Sequence, residues 1–284
     1  MKLVSFDADG QSRIGFADEG SVVELIDSSG PAALRAFLAA GDWSERKHRA
    51  AGRTYAIADI SHRPPVAEGA KIFCVGLNYA KIHPVSGLST ERPPQPTIFI
   101  KTVEALVGHQ QPIRYPEGLS EQLDYEGELT VVLGRGGRDI AEADALSHVA
   151  GYTIMNEGSV RDWQKHSLFS GKNFFASGSC GPWVTTSDEI ADPMDRTLVT
   201  RLNGDEVQRT STGAMLFSIP QIIAHISRFM PLAPGDLIAT GSPDGSGGSR
   251  QPQRFLRPGD RIEVEVKGLG VLSNVVESPR QGTN

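Results

Sequence analysis

The chain has 284 residues, enough for one large domain or a large and a small one with a sizeable core, and it carries a formal net charge of −6. With a pI near 5.7 it has no global basic field, which argues against nucleic acid or an anionic membrane as partner and leaves any anionic ligand dependent on local cations. No run approaches the ~20 apolar residues of a membrane helix and "MKLVSFDADG" lacks the parts of a signal peptide, so a cytoplasmic location is expected.

The opening "KLVSFDADGQSRIGFADEGSVVELID" alternates short apolar runs with Asp-Gly and Glu-Gly breaks, which predicts a β-meander. In "GPAALRAFLAAGDWSERKHRAAG" the residues Leu34, Phe37 and Leu38 fall at helical spacing, with Gly41 as a stop. "ISHRPPVAEGAK" has linker composition and places a boundary near residue 68, between a small N-terminal α/β domain (1–68) and a larger one (69–284). Beyond it, "KIFCVGLNY", "PTIFIK", "LTVVLG", "HVAGYTIMN", "PWVTT", "LVTRLNGDEV", "DLIATG" and "RIEVEVKGLGVLSNVV" read as strands, with "LNGDE" as a hairpin turn. Helices are expected in "IAEADALSHVAG", in "SIPQIIAHISRFM" and in "GSVRDWQKHS", so the class is α+β with a β-dominated main domain. Cys74 and Cys180 are too few for a disulfide framework and read as buried thiols.

"LDYEGELTVVLG" sets Asp124, Glu126 and Glu128 at every second position before an apolar run. Residues two apart on a strand share a face. That face is either solvated or, if buried, in need of a cation or a basic partner, and a hard divalent ion bound by oxygen ligands is the economical answer for Glu126 and Glu128 together. A further acid, Glu157, stands where "GYTIMNEGSVRDWQ" passes from strand to turn to helix; Asn156 or Ser159 there can also cap the helix. "IATGSPDGSGG" lacks the order of a phosphate-binding loop, so its glycines are read as letting the backbone pass close to a ligand.

Seven blocks occur in order: "GLNYAKIH" (76–83), "PTIFIK" (96–101), "LDYEGELTVVLGR" (123–135), "GYTIMNEGSVRD" (151–162), "GKNFFASGSCGPWVTT" (171–186), "IATGSPDG" (238–245), and "FLRPGD" with "GLGVLSN" (255–274). Together they resemble the fumarylacetoacetate hydrolase family. The resemblance implies a mixed β-roll, usually a homodimer, that binds Mg²⁺ or Mn²⁺, with Ca²⁺ also possible, through Glu126, Glu128 and Glu157. The family more often has Asp at the third place. It further implies a 2-oxo acid or 2,4-dioxo acid substrate, chelated through its 1-carboxylate and 2-oxo group, with an enolate stabilised by the ion. Lys101 and Lys172 match catalytic basic positions, Arg161 and Tyr79 substrate-binding ones, and Gln164 a residue that can hold a catalytic water. Ser242 stands where Thr is usual and keeps the hydroxyl donor.

Many members carry a His and a Glu three apart on a lid helix as a water-activating pair. Here "GLNYAKIHPVSGLSTERPP" has His83 one place later than that spacing, Pro84 after it and no acid before Glu91. Pro84 disfavours helix at His83. Three readings stay open: a lid that orders on substrate and brings in Glu91, His83 alone as general base, or loss of the hydrolytic pair in favour of isomerisation or decarboxylation. The leading expectation is a C–C bond hydrolase of an acylpyruvate-type acid in catabolism. The alternatives are an oxaloacetate-type decarboxylase, a 2-hydroxy-diene-dioate isomerase, or a non-catalytic binder of metal and 2-oxo acid.

Overall fold

A computed structural model describes residues 1–29, 33–41, 52–88 and 91–279. The stretch 42–51, which follows the expected helix stop at Gly41, lies outside them.

Twelve described strands form one large sheet. Its centre is the antiparallel pair Gly127–Leu133 and Val149–Asn156, flanked by Leu237–Ala239 on one side and Gly178–Thr186 on the other. Ile72–Gly76 joins Leu237–Ala239 in parallel, and Thr97–Lys101 lies beyond it. The N-terminal meander, Lys2–Ala8, Gln11–Asp18 and Ser21–Ser29, extends the same sheet through the pairs Lys2↔Thr185 and Leu3↔Val184. The segment near residue 68 falls between the strands Ser61–His62 and Ile72–Gly76, and the ladder is continuous across it.

A second sheet orders Asp205–Ser211, Thr197–Leu202, Arg261–Val266, Gly270–Glu277 and Ile113–Arg114. Its first hairpin turns at Asn203 (φ 54°) and Gly204 (φ 87°), the left-handed pair that "LNGDE" foretells. The main core lies between the sheets: Val131, Ile154 and Ile238 meet Leu198, Val264 and Leu272. The helix Ile219–Phe229 closes this core with Ile219, Ile222, Ile223 and Ile226, its apolar stripe at helical period. Ser218 and Gln221 cap its start reciprocally, as a Ser-x-x-Gln box does. On the other face of the large sheet, Leu34, Phe37 and Leu38 of helix Ala33–Ala40 pack with Val132, Met155 and the buried thiols Cys74 and Cys180.

Two helix expectations are corrected. Glu142–His148 winds as a 3-10 helix, because Ala145 and His148 must be buried within seven residues before Val149 enters its strand. "GSVRDWQKHS" begins as a strand, Ser159–Val160, and only then forms Arg161–Gln164, followed by the helix Leu168–Lys172. No described helix is long and apolar enough to cross a membrane.

A pair of histidines marks the seam between the N-terminal strands and the main sheets. The rings of His62 and His109 meet edge to face with centroids 5.0 Å apart. His109 Nδ1 accepts from the Ser273 N–H at 3.1 Å, which favours the neutral ring. Burial, and then the neighbouring His62, lower its pKa from 6.5 to about 4. In that interval the unfolded chain binds the extra proton, so stability falls as pH drops from 6.5 towards 4. The urea midpoint is therefore expected to fall between about pH 7.5 and about pH 5, with a smaller fall in His109→Gln; an equal fall would assign the effect elsewhere.

Candidate active site

The strand that carries the acids is buried on both faces from Leu123 to Leu133, so its acidic face is not a solvated one. Register explains their placement. Gly127 pairs with Asn156 and Glu128 with Met155, and the ladder continues with the Glu157 N–H donating to the Glu126 carbonyl at 2.8 Å. Glu126 and Glu157 thus stand opposite each other, with Glu128 two residues on along the same face. Gly127 between the acids has a packing reason, since a Cβ there would lie 2.2 Å from Thr200 Oγ1 of the second sheet.

Like charges directly opposite on a ladder repel. Here the Lys172 ammonium, at the end of helix Leu168–Lys172, bonds Glu126 Oε2 and Glu157 Oε2 together. Arg161 Nη2 adds a contact at 3.3 Å to Glu126 Oε1, Lys81 Nζ another at 3.4 Å, and Ser159 Oγ donates to Oε2 at 2.8 Å. Burial alone would raise the Glu126 carboxyl, but Arg161, Lys172 and Lys81 together hold it well below the usual range. Glu128 is placed differently: the Gly241 N–H donates to its Oε2 at 2.8 Å, while the Lys172 bridge runs between the other two acids. Burial, then the charges of Glu157 and Glu126, push it up to about 8.

Lys101, at the end of the strand Thr97–Lys101, is fully enclosed. Its ammonium donates to Glu157 Oε1 at 2.9 Å, to the Gly158 carbonyl at 3.2 Å and to the Lys172 carbonyl. Three acceptors fill its three donors, so it supports Glu157 and the Lys172 backbone from behind. Asp124 is neither exposed nor turned towards the glutamates. It accepts from Arg161 Nε at 2.7 Å and from the Gly247 and Gly248 N–H groups at 2.7 and 2.9 Å, tying the 245–249 loop to the strand. Arg161 also donates to Gln164 Oε1 at 3.0 Å.

A cavity of about 160 Å³ opens beside Glu126, lined also by Lys81, His83, Phe99, Arg161, Gln164 and Lys172. Tyr79 lies in the main core, and Ser242 is buried with its Oγ accepting from Gln208 Nε2 at 2.9 Å; neither lines this cavity. Gln208 also accepts from the Gly127 N–H at 2.9 Å, and Asn156 from the Glu126 N–H at 3.1 Å. Gln208 and Lys81 escape the sequence reading, and Asn156, read there as a helix cap, serves the Glu126 backbone instead, the helix Arg161–Gln164 having no side-chain cap. Lys81 alone carries a local signal, being two places before His83 within the first block.

The His83 turn is closed by backbone bonds from His83 N–H to the Leu88 carbonyl and from Gly87 N–H to the His83 carbonyl, both 2.8 Å. Inside it, His83 Nδ1 accepts from the N–H groups of Val85 at 3.3 Å and Ser86 at 3.1 Å. A nitrogen that accepts cannot carry the proton, so the network assigns the neutral ring with hydrogen on Nε2. Burial, then Lys81 and Arg161, lower its pKa, which also favours the neutral ring. Glu91 is exposed and does not line the cavity.

The three acids suit a hard divalent cation by their oxygen chemistry and by the repulsion that raises Glu128, which a cation would relieve. As the side chains stand they do not surround a common point, and among the described residues no three His, Cys, Asp or Glu side chains do. Glu126 and Glu157 share Lys172 instead.

Fold and site together define a β-rich enzyme with a buried, oxygen-rich acidic centre, and comparison with known proteins agrees. Residues 71–277 match the family model "Fumarylacetoacetate (FAA) hydrolase C-terminal", and the chain belongs to this family. It is 37% identical over 290 residues to the mitochondrial oxaloacetate tautomerase fahd2 of Xenopus laevis, covering 97% of this chain and 90% of that one. To the oxaloacetate tautomerase YisK of Bacillus subtilis it is 35% identical over 261 residues, 90% and 86% of the two chains. Among solved structures, the fumarylacetoacetate hydrolase of Exiguobacterium antarcticum superposes with a TM-score of 0.83 at 33% identity, covering 98% and 100%. The maleylpyruvate hydrolase of Sphingobium sp. SYK-6, in complex with manganese(II) and pyruvate, gives 0.81 at 25% identity, covering 99% and 100%.

Two substitutions separate support from ligation. Asp124→Asn puts an amide donor against the donors of Arg161, Gly247 and Gly248, and is expected to cost roughly 2–4 kcal/mol in denaturant melts while Mn²⁺ affinity holds. Glu128→Gln mimics the protonated acid and keeps an acceptor for Gly241, so stability should change by less than about 1 kcal/mol while Mn²⁺ binding in calorimetry is lost. Retained Mn²⁺ binding in Glu128→Gln would remove this residue from the ligand set.

Proposed function

We propose that this protein is a metal-dependent keto–enol tautomerase of a small 2-oxo acid of the oxaloacetate type, working at Glu126, Glu128 and Glu157. The observation that carries the reading is the tautomer of His83, whose Nδ1 is held by Val85 and Ser86. Its remaining nitrogen then presents an N–H donor, suited to stabilising charge on an oxygen and unsuited to deprotonating water. Hydrolysis of a C–C bond needs an activated water, whereas tautomerisation moves one proton between C3 and the 2-oxo oxygen. The tautomerase relatives support the same choice over the hydrolase expected from the sequence.

The residues share the work as follows. Glu126, Glu128 and Glu157 would hold Mg²⁺ or Mn²⁺, with Ca²⁺ as a further candidate, and the ion would supply Lewis acidity toward the 1-carboxylate and 2-oxo oxygens. Lys172, whose charge is stabilised by Glu126 and Glu157 against the cost of burial, adds positive potential at the enolate. His83 donates from Nε2 to the developing oxyanion. Lys101 acts by positioning Glu157, and Arg161 with Gln164 forms a polar wall. Phe99, Leu77 and Leu168 line the rest and limit water. Tyr79 and Ser242 support the site from the core, and the protein works as a homodimer, as the family resemblance implies.

The test follows oxaloacetate enol–keto interconversion and acetylpyruvate cleavage side by side with Mg²⁺ present. Interconversion is expected and cleavage is not; acetylpyruvate cleavage with no effect on interconversion would restore the hydrolase. His83→Ala should lower kcat roughly 10- to 100-fold, and His83→Gln, which keeps an amide N–H donor, should recover a large part of it. Equal loss in both would point to a base.

A further inference from the structure

We infer that the apolar face built by the helices Arg161–Gln164 and Leu168–Lys172 and the edge strand Thr97–Lys101 is the twofold interface with a second copy of this chain, and that the second copy completes the rim of the active-site cavity. The inference rests on the homodimer of the proposed function and assigns it a face and a role in the site. Seven of the thirteen large apolar side chains exposed among the described residues lie on this one face, so their exposure is concentrated rather than scattered. Six are Ile100, Val103, Leu119, Trp163, Phe169 and Phe175, and the seventh is Leu168. The Asn173 amide joins them, donating to the Ile100 carbonyl at 3.2 Å and the Phe169 carbonyl at 3.0 Å and accepting from the Thr102 N–H, next to Val103, at 2.7 Å. Trp163 Nε1 donates to the Leu119 carbonyl at 3.3 Å, and its ring meets Phe174, next to Phe175, edge to face at 5.1 Å. A Cβ on Gly171 would lie 2.4 Å from Gln164, so the two helices press together beneath this surface.

Three observations name a second copy as the occupant. The seven side chains together expose roughly 700 Å², close to the ~800 Å² that each partner gives to an interface of standard size, and they are rich in the aromatic residues of interface centres. The rim carries exposed charge of both signs, Glu104 and Glu117 with Lys165, so the surface can complement itself as an isologous contact requires. The strand Thr97–Lys101 ends its side of the large sheet with an unbroken register and no proline, and its one charge, Lys101, is turned inward to Glu157. It thus lacks the devices that keep an edge strand away from another chain.

The same elements carry cavity residues on their inner side. Leu168 belongs to both surfaces, lining the cavity while 40% exposed, and Gln164, Lys172 and Phe99 reach the cavity from the two helices and the strand. A second copy over this face shuts water out at Leu168 and holds the helices that place Gln164 and Lys172.

Phe169 is 61% exposed and does not line the cavity, so Phe169→Asp challenges the face without entering the site. Light scattering at about 10 µM is expected to find a dimer for wild type and a monomer for Phe169→Asp. Phe229→Asp, at a residue 54% exposed on the helix Ile219–Phe229, should stay dimeric. Leu119→Asp, outside the helices, repeats the test should circular dichroism show Phe169→Asp unfolded. In the Mg²⁺-loaded monomeric variant, kcat/KM for oxaloacetate interconversion should fall roughly 10-fold or more. If wild type shows no turnover, the affinity of the Mn²⁺-loaded protein for oxalate is read instead, with a fall of the same size expected. A monomeric wild type rejects the homodimer reading itself. A dimeric wild type with a dimeric Phe169→Asp, or with a Phe229→Asp that dissociates, rejects the face alone. A monomeric Phe169→Asp with unchanged turnover and oxalate affinity rejects the link to the cavity.

Discussion

The pairing of Glu126 with Glu157 across one antiparallel ladder, bridged by Lys172, is the interaction on which the site depends. Two carboxylates opposite each other in a buried sheet are tolerable only with positive charge between and around them. The fold brings that charge from separate elements: Lys172 from the end of a short helix, Lys101 from an edge strand and Arg161 from the start of another helix. Buried ion pairs contribute little net stability, but removing one partner is costly. The cluster therefore fixes where these elements must sit more than it holds the fold together.

Close backbone approach serves the same end. A Cβ on Gly158 would lie 1.9 Å from the Ser177 carbonyl, and one on Gly127 would strike Thr200. The missing side chains let neighbouring strands and the second sheet close around the acids, so the glutamates have little freedom to turn away. Asp124 extends this rigidity outward by gripping two successive N–H groups of the 245–249 loop while it neutralises Arg161. A preorganised polar environment of this kind needs no rearrangement when charge develops on a bound enolate.

Against that rigid floor, the segment 76–88 supplies the side chains on which the proposed chemistry turns. His83 with Nδ1 tied to the turn is a donor, and Lys81 is a cation beside it. Under the proposed function, a donor and cations around an acid-held ion would form a site that stabilises an oxyanion. In the proposed reading, the local backbone of a six-residue turn is what would favour tautomerisation over hydrolysis on a scaffold shared with a maleylpyruvate hydrolase.

The features legible in the sequence are those governed by near neighbours. Alternation put Glu126 and Glu128 on one face, Asn203-Gly204 marked a hairpin, Ser218-x-x-Gln221 began a helix, and Pro84 kept His83 out of one. Ordered blocks pointed to Glu157 and to the family. What the sequence could not decide depends on chain brought from afar. Asp124 is buried because Arg161 and the loop at 247–248, more than a hundred residues on, supply donors to it; Gln208 reaches Gly127 from the second sheet; Lys101 and Lys172 differ in role because only one faces the cavity. The sequence by itself determined which residues carry charge and which strands bear them, since both follow from local pattern. Tertiary structure alone decided which charges meet, because desolvation and pairing are properties of space and not of spacing.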